Sequence, residues 1–194
     1  MTQGHKVVVS EFAESPMDAV EKHLSLQPME RPDPASLKPH EVLVEIKSAA
    51  VGWVDLLMTS GQYQHMPKPP YTPGMEYSGV VLATGAAVDA TQVSVGDRVL
   101  VDGLQVGPRS GGDYQSQGGF ASFAVVPATA ALRLPDGFSF DEACCLLSNY
   151  ETAYHCLVVR GRLKAGETVL ILGATGSTGL AAVHIAKLVG ATVI

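Results

Sequence analysis

The sequence predicts a mixed fold, a barrel- or sandwich-like β module over residues 1–135 followed by the start of an α/β unit over residues 136–194. Three observations carry this expectation. Short apolar runs recur between Pro- and Gly-containing turns as far as Pro135. No long helical period precedes about residue 140. Near the other end, a charge-free apolar run, a glycine-rich turn and a helical stretch follow one another from Thr168 to Gly190.

The first module is read as strands over Lys6–Phe12, Glu41–Lys47, Ser78–Thr84, Arg98–Val101 and Phe120–Val126. Within Glu41–Lys47, Val42, Val44 and Ile46 alternate with Leu43, Glu45 and Lys47, which assigns them to opposite faces. Pro28–Pro39 and Pro67–Pro73 read as irregular. Gln105–Gly119, rich in Gly, Ser and Gln, reads as a mobile surface loop. After Pro135-Asp136-Gly137, Ser139 and Glu142 have the spacing of a capping box. Helix formers then run to about Gly161, with a break expected near Ser148-Asn149. Thr168–Leu172 has the pattern of a short parallel strand buried on both faces. A helix is predicted over Ser177–Val189 with Gly190 as its C-terminal stop, and Thr192-Val193-Ile194 begins another strand.

Composition narrows the function classes. The 194 residues carry a net charge of -6, with 46% hydrophobic and 16% charged residues. Disorder requires the opposite balance, and a basic nucleic-acid-binding face would need the other sign. Cys144, Cys145 and Cys156 form no even disulfide set, which points to a reducing compartment. The N-terminus shows no h-region of a signal peptide. Thr168–Ala186 lacks Asp, Glu, Lys and Arg, but the glycines and hydroxyls in its middle suit a turn and not a spanning helix. The expectation is a soluble, cytoplasmic chain.

Chemistry concentrates in Gly173-Ala174-Thr175-Gly176-Ser177-Thr178-Gly179, which sits between a predicted strand and a predicted helix. Gly176 would let the backbone approach a ligand closely, and Gly179 would let the helix pack on the strand. The free N–H groups and dipole at the helix start favour a pyrophosphate. The competing structural reading is a tight βα turn with no ligand.

The stretch Gly166–Gly190 resembles the medium-chain dehydrogenase/reductase superfamily, and within it the zinc-independent, quinone-oxidoreductase-like branch. Pro73-Gly74-Met75-Glu76-Tyr77-Ser78-Gly79, Val95-Gly96-Asp97-Arg98-Val99, Gly118-Gly119-Phe120-Ala121 and Asn149-Tyr150-Glu151-Thr152-Ala153-Tyr154 stand upstream in the order of that family. The resemblance implies a GroES-like, partly open β-barrel catalytic domain over 1–135 and the incomplete start of a dinucleotide-binding Rossmann domain over 136–194. It implies a hydride transfer from NADPH, with NADH left open, to a small-molecule electrophile such as a quinone or an α,β-unsaturated carbonyl. Ala174, Thr175, Gly176, Ser177, Thr178 and Gly179 would hold the nucleotide, and Thr152 would lie near the nicotinamide. Tyr63 is the candidate donor to the developing oxyanion, since a phenol keeps its proton at neutral pH. Trp53 is the candidate aromatic wall, and Asp55 is expected to fix its loop. Three of these side chains have a structural alternative: Tyr63 as loop packing, Trp53 as core, Thr152 as a hydroxyl bonded back to a helix carbonyl.

Departures from the family pattern bear on metal. Zinc-dependent members place a Cys and a His where this chain has Gly52 and Met75, so no zinc is expected. The three cysteines are read as small buried hydrophobes. Leu57 replaces a tyrosine often found in this loop. The resemblance further implies a longer parent reductase, homodimeric, of which this is a shortened form. Alternatives kept open are a non-catalytic nucleotide- or partner-binding protein, an inactive fragment of such a reductase, and a zinc alcohol dehydrogenase completed by residues outside this sequence.

Overall fold

The structure, a computed structural model, describes residues 3–194. The chain divides into two compact units after Cys144.

In the first unit, β1 (Gln3–Val9) and β2 (Leu24–Glu30) form an antiparallel hairpin, from Gln3↔Glu30 to Val9↔Leu24. A single turn, α1 (Pro16–Asp18), and a wide turn over Ala19–His23 connect them. Ser15 caps α1 by accepting from the Asp18 N–H at 3.1 Å. Strand β2 begins before the stretch expected to be irregular and runs into it. Its sequence has no β-branched residue and includes Pro28, which is tolerated because the strand is an edge.

The main sheet has five antiparallel strands in the order β6-β3-β4-β5-β7. They are β3 (Glu41–Ala49), β4 (Tyr77–Thr84), β5 (Arg98–Val101), β6 (Phe123–Pro127) and β7 (Ala131–Arg133). Register shifts after Leu43 and after Ile46 bend β3 against β4 and curl the sheet into a half-barrel. Val42 and Val44 enter the core with Tyr77, Val81, Val99 and Val126, and Ile46 packs against them, as the alternation required. Leu43 on the other face is also fully buried. Further along that face, Glu45 and Lys47 pair at 2.8 Å. The β1 strand joins the sheet margin through Val7 N–H to Phe120 O and Ser122 N–H to His5 O, both 2.8 Å.

The Gln105–Gly119 segment is not a free surface loop. Val106 is fully buried, and Tyr114 packs on the core. The Tyr114 hydroxyl donates to Glu41 Oε1 at 2.6 Å. Composition could not show this, because one aromatic anchor decides it. Burial pushes Glu41 up, but bonds from Tyr114 and the Lys38 N–H, together with the Lys38 charge, outweigh it and leave Glu41 below its ordinary 4.5. Burial and the same carboxylate push the Tyr114 phenol up to about 12. A lowered folded pKa gives stability that is present above 4.5 and lost as pH falls through the folded value. Tyr114→Phe should therefore cost about 1.5 kcal/mol near neutrality, roughly 3–6 °C in Tm, with the gap to wild type closing below about pH 4. Thermal melts across pH 3–8 check this, and a gap that does not change with pH would refute it.

The capping box forms as expected. Ser139 Oγ accepts from Glu142 N–H, and Glu142 Oε2 accepts from Ser139 N–H. The helix it starts, α3 (Phe140–Ala143), is short, and the break falls at residues 144–146 and not at Ser148-Asn149. Ser78 Oγ donates to Phe140 O at 2.7 Å, and Cys144 Sγ lies 3.4 Å from Ser48 Oγ. These ties hold α3 on β3 and β4, which helix propensity does not encode.

The second unit opens with α4 (Leu147–Tyr154), extended by a wide turn over His155–Arg160. Next come β8 (Thr168–Val169), α5 (Ser177–Val189) and β9 (Thr192–Val193). The two strands pair in parallel, Thr168↔Thr192 and Val169↔Val193, completing a βαβ unit. Helix α5 has the predicted boundaries and ends on Gly190 at φ 88°. Its Ala181 and Ile185 pack with Ala153 of α4. The predicted strand Thr168–Leu172 is shorter than expected and not covered on both faces, since Leu170 and Leu172 are 65% and 84% exposed. Among the described residues β8 has one strand neighbour, and β9 is itself two residues long.

Candidate nucleotide-binding turn

The turn between β8 and α5 brings Ala174, Thr175, Gly176, Ser177, Thr178 and Gly179 together. Gly173 enters it at φ +71°, and Gly176 caps the helix in an extended conformation. Gly176 N–H bonds to Gly173 O at 3.0 Å, and Leu180 N–H to Gly176 O at 2.8 Å. Among the described residues, the N–H groups of Ser177, Thr178 and Gly179 find no protein acceptor. Three unpaired donors at the positive end of a 13-residue helix are an arrangement that can donate hydrogen bonds to an anion.

The glycines separate by cause. A Cβ on Gly179 would lie 2.3 Å from Gly173 O and 2.8 Å from Ala174 Cα, so close packing of helix on turn demands glycine there. A Cβ on Gly176 would meet only Gly173 O, at an ordinary 3.5 Å. Among the described residues no contact requires glycine at 176, and that space is open to a ligand.

Thr152 is exposed on α4, three residues beyond Asn149. Asn149 was not singled out by sequence reasoning, yet its Oδ1 accepts the Thr178 hydroxyl at 3.1 Å. Its place inside the Asn-Tyr-Glu-Thr-Ala-Tyr motif was the available signal.

Trp53 and Tyr63 belong to the first unit. Trp53 opens α2 (Trp53–Thr59) and is 70% exposed, so it is not a core residue. Tyr63 is half-buried in the bend that follows this helix. Asp55 holds this region: its Oδ2 accepts from Gly52 N–H at 2.9 Å, and its Oδ1 from Gly74 and Met75 N–H at 3.2 Å each. Burial raises its pKa, and these donors, with its own backbone N–H, oppose that rise without cancelling it. Arg98 donates to Phe138 O, and Asp97 pairs with Arg133 at 3.0 Å, so both are structural. Of the cysteines, only Cys144 is buried. Cys145 and Cys156 are exposed, which corrects the expectation for those two. Cys145 stands in the turn between α3 and α4, and Cys156 in the segment His155–Arg160. Among the described residues, no group of three or more His, Cys, Asp or Glu is placed to hold a metal.

A cleft of about 440 Å³ in the first unit, lined among others by Lys6, Val8, Tyr71, Gln117 and Phe123, includes none of the predicted site residues.

Residues 38–136 match the alcohol dehydrogenase GroES-like domain, just over half of the chain. The chain belongs to this family. The synaptic vesicle membrane protein VAT-1 homolog of Danio rerio is 38% identical over 154 residues, covering 79% of this chain and 29% of that protein. The quinone oxidoreductase-like protein 2 homolog of Nematostella vectensis is 39% identical over 155 residues, covering 79% and 39%. A probable oxidoreductase from Mycobacterium abscessus superposes with a TM-score of 0.78 at 33% identity, over 99% of this chain and 54% of that one. The quinone oxidoreductase from Thermus thermophilus, solved also in complex with NADPH, gives 0.73 at 28% identity, over 97% and 52%. The chain thus spans less than half the length of these curated relatives and about half of these solved chains. The expected GroES-like half-barrel followed by an α/β unit, and the resemblance to medium-chain quinone-oxidoreductase-like proteins, both hold. No helix among the described residues is long and apolar enough to cross a membrane.

Proposed function

We propose that this chain provides the substrate domain, residues 1–135, and the nucleotide-phosphate turn, within residues 136–194, of a zinc-independent oxidoreductase. Its donor is NADPH, with NADH as the second choice, and its acceptor is a quinone or an α,β-unsaturated carbonyl. The observation that carries this reading is the trio of unpaired N–H groups beside Gly176, a glycine the chain's own packing does not need. The solved NADPH complex of a relative supports it. So does the presence of Gly52 and Met75 where zinc-dependent relatives carry ligands.

The residues divide the work. Ser177, Thr178 and Gly179 bind the pyrophosphate through their N–H groups, while Ala174 and Thr175 shape the turn. Thr152 borders the nicotinamide, which when bound supplies a hydride to an electron-poor carbon. As the acceptor's oxygen gains charge, the Tyr63 hydroxyl donates a hydrogen bond to it. Trp53 offers an exposed ring as an apolar wall for a planar acceptor. We read the whole protein as a cytoplasmic homodimer.

Gly176→Ala tests the reading. NADPH titration followed by nucleotide fluorescence should show binding weakened at least tenfold, with Tm unchanged within roughly 1 °C, because the new methyl occupies ligand space and not protein space. Unchanged affinity, or no binding of NADPH and NADH by the wild-type protein, would refute it. Binding without turnover over a panel of quinones and enones would favour a nucleotide-binding protein that is not a catalyst.

A further inference from the structure

We infer that Asn149 is a positioning residue for nucleotide binding, one that holds the phosphate turn to α4 through the Thr178 hydroxyl. The inference rests on the proposed nucleotide site and assigns a role to a residue outside it.

The amide of Asn149 is used at both ends. Its Nδ2 donates to Cys145 O at 3.2 Å, and its Oδ1 accepts from Thr178 Oγ1 at 3.1 Å. A carbonyl can only accept, so the nitrogen must face Cys145 and the oxygen must face Thr178. The amide is thereby anchored to its own helix and presents a fixed acceptor to the second residue of α5.

Thr178 stands in the first turn of α5, where a free hydroxyl can rotate onto neighbouring backbone groups. Bonded to Asn149, it is held away from them, and the Thr178 N–H stays unpaired beside those of Ser177 and Gly179. Thr178 therefore serves the phosphate through its backbone, while its side chain serves the turn. Asn149 and Thr152 are three residues apart on α4 and share a face. One hydrogen bond thus links the phosphate end of the site to the helix that carries its nicotinamide end.

The same two helices share a second polar bond, which separates this role from simple helix docking. Tyr150 Oη lies 2.6 Å from His184 Nδ1, about a turn and a half further along α5. Tyr150→Phe removes that bond without touching the turn.

The experiment compares NADPH dissociation constants for wild type, Asn149→Ala, Thr178→Val, the double variant and Tyr150→Phe. Alongside, hydrogen exchange is followed in the nucleotide-free protein. Asn149→Ala and Thr178→Val should each weaken NADPH binding about 5–10-fold, and the double variant should be no weaker than the worse single one within about twofold, since both remove the same bond. Tyr150→Phe should stay within about twofold of wild type. Without nucleotide, Asn149→Ala should speed exchange of the Leu180 N–H, which closes the first turn on Gly176 O, and leave Ile185 and Ala186 unchanged. Additive single effects, an equal loss in Tyr150→Phe, or unchanged affinity and exchange in Asn149→Ala would overturn the inference while leaving the nucleotide site standing. A wild-type protein that binds neither NADPH nor NADH would remove the site and the inference together.

Discussion

Asp55→Ala should lower the stability of the first unit by about 3–5 kcal/mol, a fall in Tm of roughly 10–15 °C, the largest loss expected from any single polar residue here. Asp55 is only 4% exposed, so no solvent stands by to replace it. Alanine would strand three N–H groups, those of Gly74 and Met75 buried and that of Gly52 half-buried, and an unpaired buried group costs about 1–3 kcal/mol. Relief of the desolvation that the carboxylate itself suffers returns part of that cost. Asparagine is the informative control. Its oxygen can still accept from Gly74 and Met75, but its amide nitrogen then meets the Gly52 N–H donor to donor. The loss should be smaller and confined to the first turn of α2, where Trp53 sits. The pH dependence is opposite in sign to that of Glu41. A folded pKa raised by burial gives stability that is present below the ordinary 3.8 and is lost as pH rises through the folded value. The gap between wild type and Asp55→Asn should therefore be wider at about pH 3.5 than at about pH 7. Denaturant melts at the two pH values decide the matter. A gap wider near neutrality would mean that the three donors, and not burial, control this carboxylate.

Local sequence signals were legible where one residue's neighbours along the chain decide the outcome. Helix α5 is bounded by Gly176 and Gly190, and both ends follow from the extended and left-handed conformations that glycine accepts. The capping box of Ser139 and Glu142 is equally local. Strand β3 was legible through its alternation, although its two register shifts were not, because they are set by β4 across the sheet. What escaped was tertiary. Strand β2 exists because β1 offers it a complete antiparallel register, against the propensity of Pro28. The Gln105–Gly119 segment is held down by Tyr114 reaching Glu41, 73 residues away in sequence. In the candidate site, the glycine motif was legible as a pattern, and Asp55 as a loop-fixing residue. The three donors that Asp55 collects, and the bond from Thr178 to Asn149, become visible only when separate segments meet in space.

Gly179→Ala should reduce NADPH affinity more than about a hundredfold and destabilise the second unit by about 2–3 kcal/mol, because the added methyl meets backbone it cannot displace cheaply. The nearest atoms are Gly173 O at 2.3 Å, Ala174 Cα at 2.8 Å and Gly173 C at 3.0 Å, so either α5 must lift from the turn or the turn must open. Each response moves the unpaired N–H groups of Ser177, Thr178 and Gly179 away from a common point, and a pyrophosphate needs them converging. The other two glycines of the motif supply the controls. Gly173 has φ +71° and no atom within 4 Å of an added Cβ, so alanine there should cost about 1–2 kcal/mol of backbone strain, with a modest effect on binding. Gly176→Ala should impair binding and leave stability alone. The three variants thus separate packing, conformation and ligand approach within a single turn. Paired measurements of Tm and NADPH affinity on all three decide the assignment. If Gly179→Ala bound nucleotide as well as Gly173→Ala does, the approach of α5 to its turn would have no part in holding the phosphate.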